Sequence, residues 1–416
     1  MRQKILILIL LFIILTGMPT ALTISATVTI LENTTNATVL GQNTTNATVL
    51  GQNTTVQNVQ PSGENTEVQN LQPYGENNSS LNKKVVLGYY SIFAESDWEN
   101  IRFDNLSTLA LYNIAPTSNG SLREDYDSVI SDHIDQLIIK AHNNGVKVVF
   151  SFGPPVGETE IIDSLLGNAS AKNNTLNNIL GFIQKHNFDG VDVDIEGINP
   201  TNSITGTSNK VLMTNFIKDL RTKLNTVNSN YSIYLVIGSY YQHEDEVLDI
   251  GNIQNYVDYI MMIGYDYYIG PIAGSNAPID SHNEDPSIRD SVGHYSGLMN
   301  KSKLLLGVGW FGYERTTQTG NLSSVATDDG IPYGYQDMKE GAAQYGRIWD
   351  NTWKTPWYKY QVNGTWYQGH YDDIESLSIK YDLVISQNLA GIGIWQLEYG
   401  DKVPELWQLI NEKFGK

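Results

Sequence analysis

The sequence predicts an α/β fold, a closed (β/α)8 TIM barrel with a small α+β insertion between strands 7 and 8. Three observations predict it. Eight short apolar runs succeed one another from residue 83 onward, and amphipathic helical patterns lie between several of them. The structural alternative, a doubly wound open sheet, usually advertises a glycine-rich phosphate loop, and the chain has none.

The runs fall at 85–90 (VVLGYY), 109–114, 146–152, 191–195, 233–238, 259–264, 304–308 and 392–395. Each has the length and apolar character of a buried strand. In SDHIDQLIIKAHNNG, Ile134, Leu137, Ile138 and Ala141 share one helical face, and Asn144-Gly145 supplies a C-terminal stop. Similar helices fit 176–186, 211–224, 288–299, 374–386 and 403–414. The stretch 313–370 breaks the alternation. It holds Trp349, Trp353, Trp357 and Trp366, half of the eight tryptophans, with Tyr358, Tyr360 and Tyr367. Most of these aromatics are expected to form the insertion's own core, and stacking of one or two on flat sugar faces at a cleft is the alternative.

Ahead of the barrel the texture differs. Arg2 and Lys4 precede an apolar run at 5–15, and Gly17, Pro19 and Ala21 follow. That is the order of a secretory signal, and the run is short for a transmembrane helix. A weakly apolar continuation to about residue 31 leaves an uncleaved membrane anchor as the alternative, so 1–26 is signal peptide or anchor. From 27 to 82 the chain repeats NTTNATVLGQ, then VQNVQPSGEN and VQNLQPYGEN. These units are too short and polar to bury a core, so the region reads as a stalk. It carries N-x-S/T sequons at Asn33, Asn36, Asn43, Asn46, Asn53, Asn77 and Asn78, and others follow downstream. With the leader they point to export and surface glycosylation, hence a secreted or cell-surface protein.

Lys plus Arg number 26 and Asp plus Glu 45, for a net charge of −19. That balance argues against nucleic acid and anionic membrane surfaces as partners. Cysteine is absent, which excludes disulfides, a thiol nucleophile and thiolate metal sites. The seven histidines are scattered without metal-ligand spacing, so neither a metal nor another cofactor is expected.

The stretch FDGVDVDIEG, 188–197, carries the chemistry. Side chains alternate across a strand, so Asp192, Asp194 and Glu196 take one face and Val191, Val193 and Ile195 the other. In a barrel the apolar set packs on helices and the acidic set points inward, climbing toward the C-terminal mouth. Three buried carboxyls must pair or share protons. Such crowding raises at least one pKa and keeps an acid protonated near neutral pH, as a general acid requires. A calcium loop fits poorly, because its twelfth position is Ser203 and its interior is a strand. A solvated edge strand is the other bland reading; Gly190, Gly197 and the preceding helix favour burial.

DGVDVDIEG resembles the DGxDxDxE signature of glycoside hydrolase family 18, the chitinase family. Four further stretches fall in the right order. VVLGYY at 85–90 resembles the family's first strand, and KVVFSFG at 147–153 its third-strand motif. DYIMMIGYD at 258–266 resembles its sixth-strand motif, and GIGIW at 391–395 its eighth strand. The resemblance covers residues 83–416, and 366–383 is similar to the return from the family's insertion into the barrel. It implies that Glu196 protonates the glycosidic oxygen and that Asp194 holds the sugar's acetamido group for attack on its own anomeric carbon. Asp192 shares a proton with Asp194. Tyr265 and Asp266 grip the acetamide, Trp395 floors the cleaved sugar, and Tyr90 and Gly153 join the substrate-binding set. This is the substrate-assisted, retaining mechanism of that family. The sequence departs from the pattern at Pro154, where a second glycine is usual, and at Ile263-Gly264, where Met and a small hydroxyl residue are.

The resemblance implies an enzyme whose partner is an N-acetylglucosamine-containing polysaccharide, with chitin or its oligomers foremost; with the leader, the expectation is a secreted monomer. Another cell-wall glycan or an N-glycan is the alternative substrate. A non-catalytic chitinase-like lectin is the alternative class, against which Glu196 stands. A structural surface component rests only on the stalk and sequons.

Overall fold

The computed structural model describes residues 84–92, 98, 101–123, 132–268, 270–282 and 285–415. The expected signal or anchor (1–26) and stalk (27–82) lie outside the described residues. In chain order the strands are β1 (Val85–Ser91), β2 (Thr108–Ile114), β3 (Lys147–Phe152), β4 (Gly190–Val193), β5 (Ser232–Ile237), β6 (Tyr259–Met262) and β7 (Leu304–Gly309). Then come β8 (Phe311–Thr317), β9 (Ile331–Gly334), β10 (Ile348–Asp350), β11 (Thr355–Val362), β12 (Thr365–Tyr371) and β13 (Gly391–Trp395). The α-helices are α1 (Asp132–Asn143), α2 (Thr159–Gly167), α3 (Ala169–His186), α4 (Asn209–Asn225) and α5 (Tyr241–Val247). They continue with α6 (Ile250–Ile253), α7 (Ile288–Leu298), α8 (Tyr335–Tyr345), α9 (Ile374–Ser386) and α10 (Pro404–Phe414).

Strands β1 to β7 pair in parallel, each beside its predecessor, and β13 closes the ring between β7 and β1. This is the predicted (β/α)8 barrel. Strand parity sorts its side chains into two cores. Leu87, Tyr89, Val149, Tyr234, Met261 and Leu305 fill the barrel interior. Residues of the other parity, among them Val86, Tyr90, Phe150, Val191 and Val193, pack against the helices. Each such buried Val or Leu contributes about 1.5–3 kcal/mol relative to exposure, so the outward parity of Val191 and Val193 forces Asp192 inward.

The helices at 288–298 and 374–386 begin where capping boxes close at Ser287 and Asp373. Helix α3 starts earlier than the pattern at 176–186 suggests, because Asn168 Oδ1 caps the N–H groups of Ser170 and Ala171. Strand β4 is shorter than predicted. It ends at Val193, although Asp194 N–H still donates to Phe152 O at 2.8 Å. Asp194 and Glu196 therefore stand on the loop at the barrel mouth rather than within the strand.

The insertion leaves after β7 and returns at β13, as predicted. Its five antiparallel strands run β10-β11-β12-β8-β9, and α8 buries Met338 and Ala342 against Tyr358 and Tyr371. Trp353 and Trp357 are buried, while Trp349 and Trp366 are half-buried. The aromatics chiefly serve the insertion's own packing.

Candidate active site

Asp189, first of the four carboxylates in FDGVDVDIEG, does not belong to the site. Its Oδ2 accepts the Val148 N–H at 2.7 Å and pairs with His142 Nε2 at 2.8 Å, just before β4 begins. Asp192 follows on β4 and is fully buried; Asp194 is 9 % exposed and Glu196 half-buried. The three step from the barrel interior to its mouth.

Across the register Ser151 of β3 stands beside Asp192. The hydroxyls of Ser151 and Tyr89 lean on Asp192 and oppose the effect of burial on it, yet neither closes a hydrogen bond of normal geometry. The backbone beneath Asp194 is Gly153. A Cβ there would sit 1.6 Å from the Asp194 carbonyl oxygen, so only glycine admits this approach of β3 and β4. Gly153 O accepts from Asn113 Nδ2 at 3.2 Å. The contribution of Gly153 is thus to seat Asp194.

The segment after β6, two strands round the ring from β4, supplies a second side of the mouth. Tyr265 is buried, its ring meeting Phe311 edge-on at 5.7 Å. Its hydroxyl feels the charges of Asp266, Glu196 and Asp194, which places the four groups together. Asp266 has φ +62°, and the Tyr313 hydroxyl from β8 leans on its carboxyl and opposes the effect of burial on it. The departure at Gly264 has a steric cause: a Cβ there would lie 2.2 Å from Gly307 O. Trp395, at the end of β13, packs on Tyr89 at 5.7 Å and takes the edge of Tyr112 at 4.7 Å.

Tyr90 is the exception among the predicted residues. It faces the helix layer, and Tyr89, its neighbour of opposite parity, enters the site instead. The run GYY offers an aromatic at both parities, so alternation alone does not choose between them. Sequence reasoning also missed Tyr112, Glu244 and Tyr313. Glu244 lies on α5 and Tyr313 on the insertion, and neither stands in a motif that would announce it.

Burial raises every carboxyl of the cluster. It is the main cause for the coupled pair Asp192 and Asp194, with the charge of Asp192 adding to the effect on Asp194. Glu196 is pushed well above the usual range by burial, then by Asp194, Asp266 and Glu244. Burial holds Asp266 at about 6 and Glu244 at about 7. A carboxyl whose folded pKa exceeds its unfolded value stabilises the fold below the unfolded pKa, and that stability is lost as pH rises through the folded one. Thermal stability should therefore fall from about pH 5 to about pH 8, and Asp192→Asn should flatten the fall. Differential scanning calorimetry across that range checks it; a Tm that holds or rises rejects the assignment.

The model of "Glycosyl hydrolases family 18" matches residues 56–400. The chain belongs to glycosyl hydrolase family 18. Chitinase A1 of Niallia circulans is 26% identical over 317 residues, 67% of this chain and 44% of that protein. The cortical fragment-lytic enzyme of Bacillus subtilis is 22% identical over 261 residues, 60% of this chain and 55% of that protein. The chain thus spans about half the length of these curated relatives. The crystal structure of the Ostrinia furnacalis Group IV chitinase superposes with a TM-score of 0.70 at 20% identity, covering 80% of this chain and all of that one. At that identity the superposition speaks for the fold.

Proposed function

We propose that this family 18 chain is an exported glycoside hydrolase that cleaves β-1,4-linked N-acetylglucosamine polymers, chitin or chito-oligosaccharides, with retention. The observation that carries the reading is the ascent of Asp192, Asp194 and Glu196 into the mouth, each carboxyl raised by burial. Glu196 delivers its proton to the glycosidic oxygen as the bond to the leaving sugar breaks. The substrate's own 2-acetamido group, held by Asp194 and Tyr265, closes its oxygen on the anomeric carbon. Water then opens that intermediate from the vacated side, and Glu196 takes its proton back. Asp192 shares the Asp194 proton, Asp266 steadies the acetamide, and Trp395 floors the cleaved sugar with Tyr89 and Tyr112 bracing its ring. The leader and sequons support export, and a retained leader would tether the enzyme to the membrane.

The mechanism requires an N-acetyl group on the attacked sugar. Residues 83–416 should release fluorophore from β-linked di- and tri-N-acetylglucosamine and give no turnover of the matching glucose conjugates. NMR of the first product should show the β-anomer. Equal cleavage of the glucose series, or an α-anomer first, rejects the mechanism. A second reading, hydrolysis of another N-acetylglucosamine-containing cell-wall glycan, is favoured by the similarity to the cortical fragment-lytic enzyme. Release from cell-wall glycan alone would select it. Binding of oligosaccharide without turnover would select the lectin.

A further inference from the structure

Asp266 holds a backbone conformation that non-glycine residues seldom adopt, with φ +62°. Such a conformation persists where the surroundings over-determine it. Here two successive backbone amides are held by one residue. Asn276 Oδ1 accepts the Asp266 N–H at 2.9 Å, and Asn276 O accepts the Tyr267 N–H at 3.1 Å. Side chain and backbone of Asn276 thus clip two successive amides, and the clip closes the loop that follows β6.

The clip is itself fixed. Asn276 is 4 % exposed, between Ser275 and Ala277 at 1 % each. Ser275 Oγ accepts from Thr355 Oγ1 of β11 at 2.8 Å, and the Ile279 N–H donates to Trp353 O at 2.9 Å. The insertion therefore pins the segment that carries Asn276. Asn276 Nδ2 and Asp266 Oδ1 are both buried without a hydrogen-bond partner. A buried amide with one half committed to a backbone N–H and the other half idle is costly for a residue that only fills space.

We propose that Asn276 is a positioning residue: its clip holds Asp266 in the left-handed conformation that turns the carboxyl toward Tyr265 and Glu196. The inference rests on the reading of Asp266 as part of the sugar-gripping set, but its structural half stands without it. Catalytic geometry is sensitive to displacements of about 1 Å, which can remove about 10²-fold in rate. Asn276→Ala should lower kcat/KM on the di-N-acetylglucosamine conjugate at least tenfold, by about that reasoning.

The decisive comparison is a double-mutant cycle. If Asn276 acts through Asp266, Asn276→Ala should change kcat/KM less than about twofold in an Asp266→Ala background. A merely structural residue would impose the same loss in both backgrounds. The crystal structure of Asn276→Ala supplies an arm that needs no substrate: Asp266 should leave the left-handed region. Retention of φ near its present value overturns the proposal whatever the activity does. So does an unchanged kcat/KM in an active enzyme, or a full loss in the Asp266→Ala background. A wild type that turns over nothing refutes the proposed function instead, and the crystallographic arm still decides the role of Asn276.

Discussion

Glu196→Gln should reduce fluorophore release from di- and tri-N-acetylglucosamine conjugates by at least about 10²-fold, the contribution of a positioned general acid. Glutamine matches the shape of the side chain and has no proton to give to the leaving oxygen. KM should stay near the wild-type value, because the grip on the acetamide lies with Asp194, Tyr265 and Asp266. The pH profile gives the same group a second signature. Glu196 acts only when protonated, so kcat/KM falls as pH rises through its raised pKa. Burial is the first cause of that elevation, followed by Asp194, Asp266 and Glu244. Glu244→Gln removes one neighbouring negative charge and leaves the burial in place. It should shift the basic limb to lower pH without abolishing turnover. A Glu196→Gln enzyme that keeps more than about a tenth of wild-type kcat would remove Glu196 from the role of acid. A basic limb that stays put in Glu244→Gln would detach α5 from the site.

Much of this is legible in the chain because it is local. The period of two in VDVDIE decides which side chains face the barrel interior, and burial of Val191 and Val193 leaves Asp192 no other side. The count of apolar runs and intervening helices decides the barrel, and the aromatic-rich break at 313–370 marks the insertion. What the sequence hides has physical reasons. GYY offers two rings and does not say which parity faces in, so Tyr90 stands in the expected set where Tyr89 belongs. Ser151 stands in the third-strand motif without a stated role, and the β3–β4 register is what brings it beside Asp192. Glu244, Tyr313 and Asn276 reach the cleft from α5, β8 and the loop after β6. Their placement depends on the path of the chain over the mouth, and loop paths leave no periodic trace. Gly153 enters the substrate-binding set on its motif alone; the packing against Asp194 is the stronger reason for it.

That packing predicts the largest effect on stability. Gly153→Ala should destabilise the protein by about 4 kcal/mol or more, a loss confined to a few mechanisms such as gross steric conflict with backbone. The added Cβ would lie 1.6 Å from Asp194 O and 2.7 Å from its carbonyl carbon. Neither atom belongs to a flexible side chain, so a rotamer change offers no relief. Strands β3 and β4 must part, and the hydrogen bond from Asp194 N–H to Phe152 O, 2.8 Å long, breaks first. Because the sheet is closed, the displacement is passed on to β2 and β5 rather than absorbed at an edge. Gly293→Ala in α7 is the control: nothing lies within 4 Å of its Cβ position, and alanine there should gain up to about 1 kcal/mol from helix propensity. Urea unfolding of the two variants should therefore diverge in opposite directions from wild type. If Gly153→Ala expresses poorly, Tm of the soluble fraction and its kcat serve instead, since any folded molecule must carry a displaced Asp194. Equal midpoints for the two variants, with kcat intact, would show that β3 and β4 do not meet this closely, and the seat of Asp194 would have to be sought in Ser151 and Tyr89.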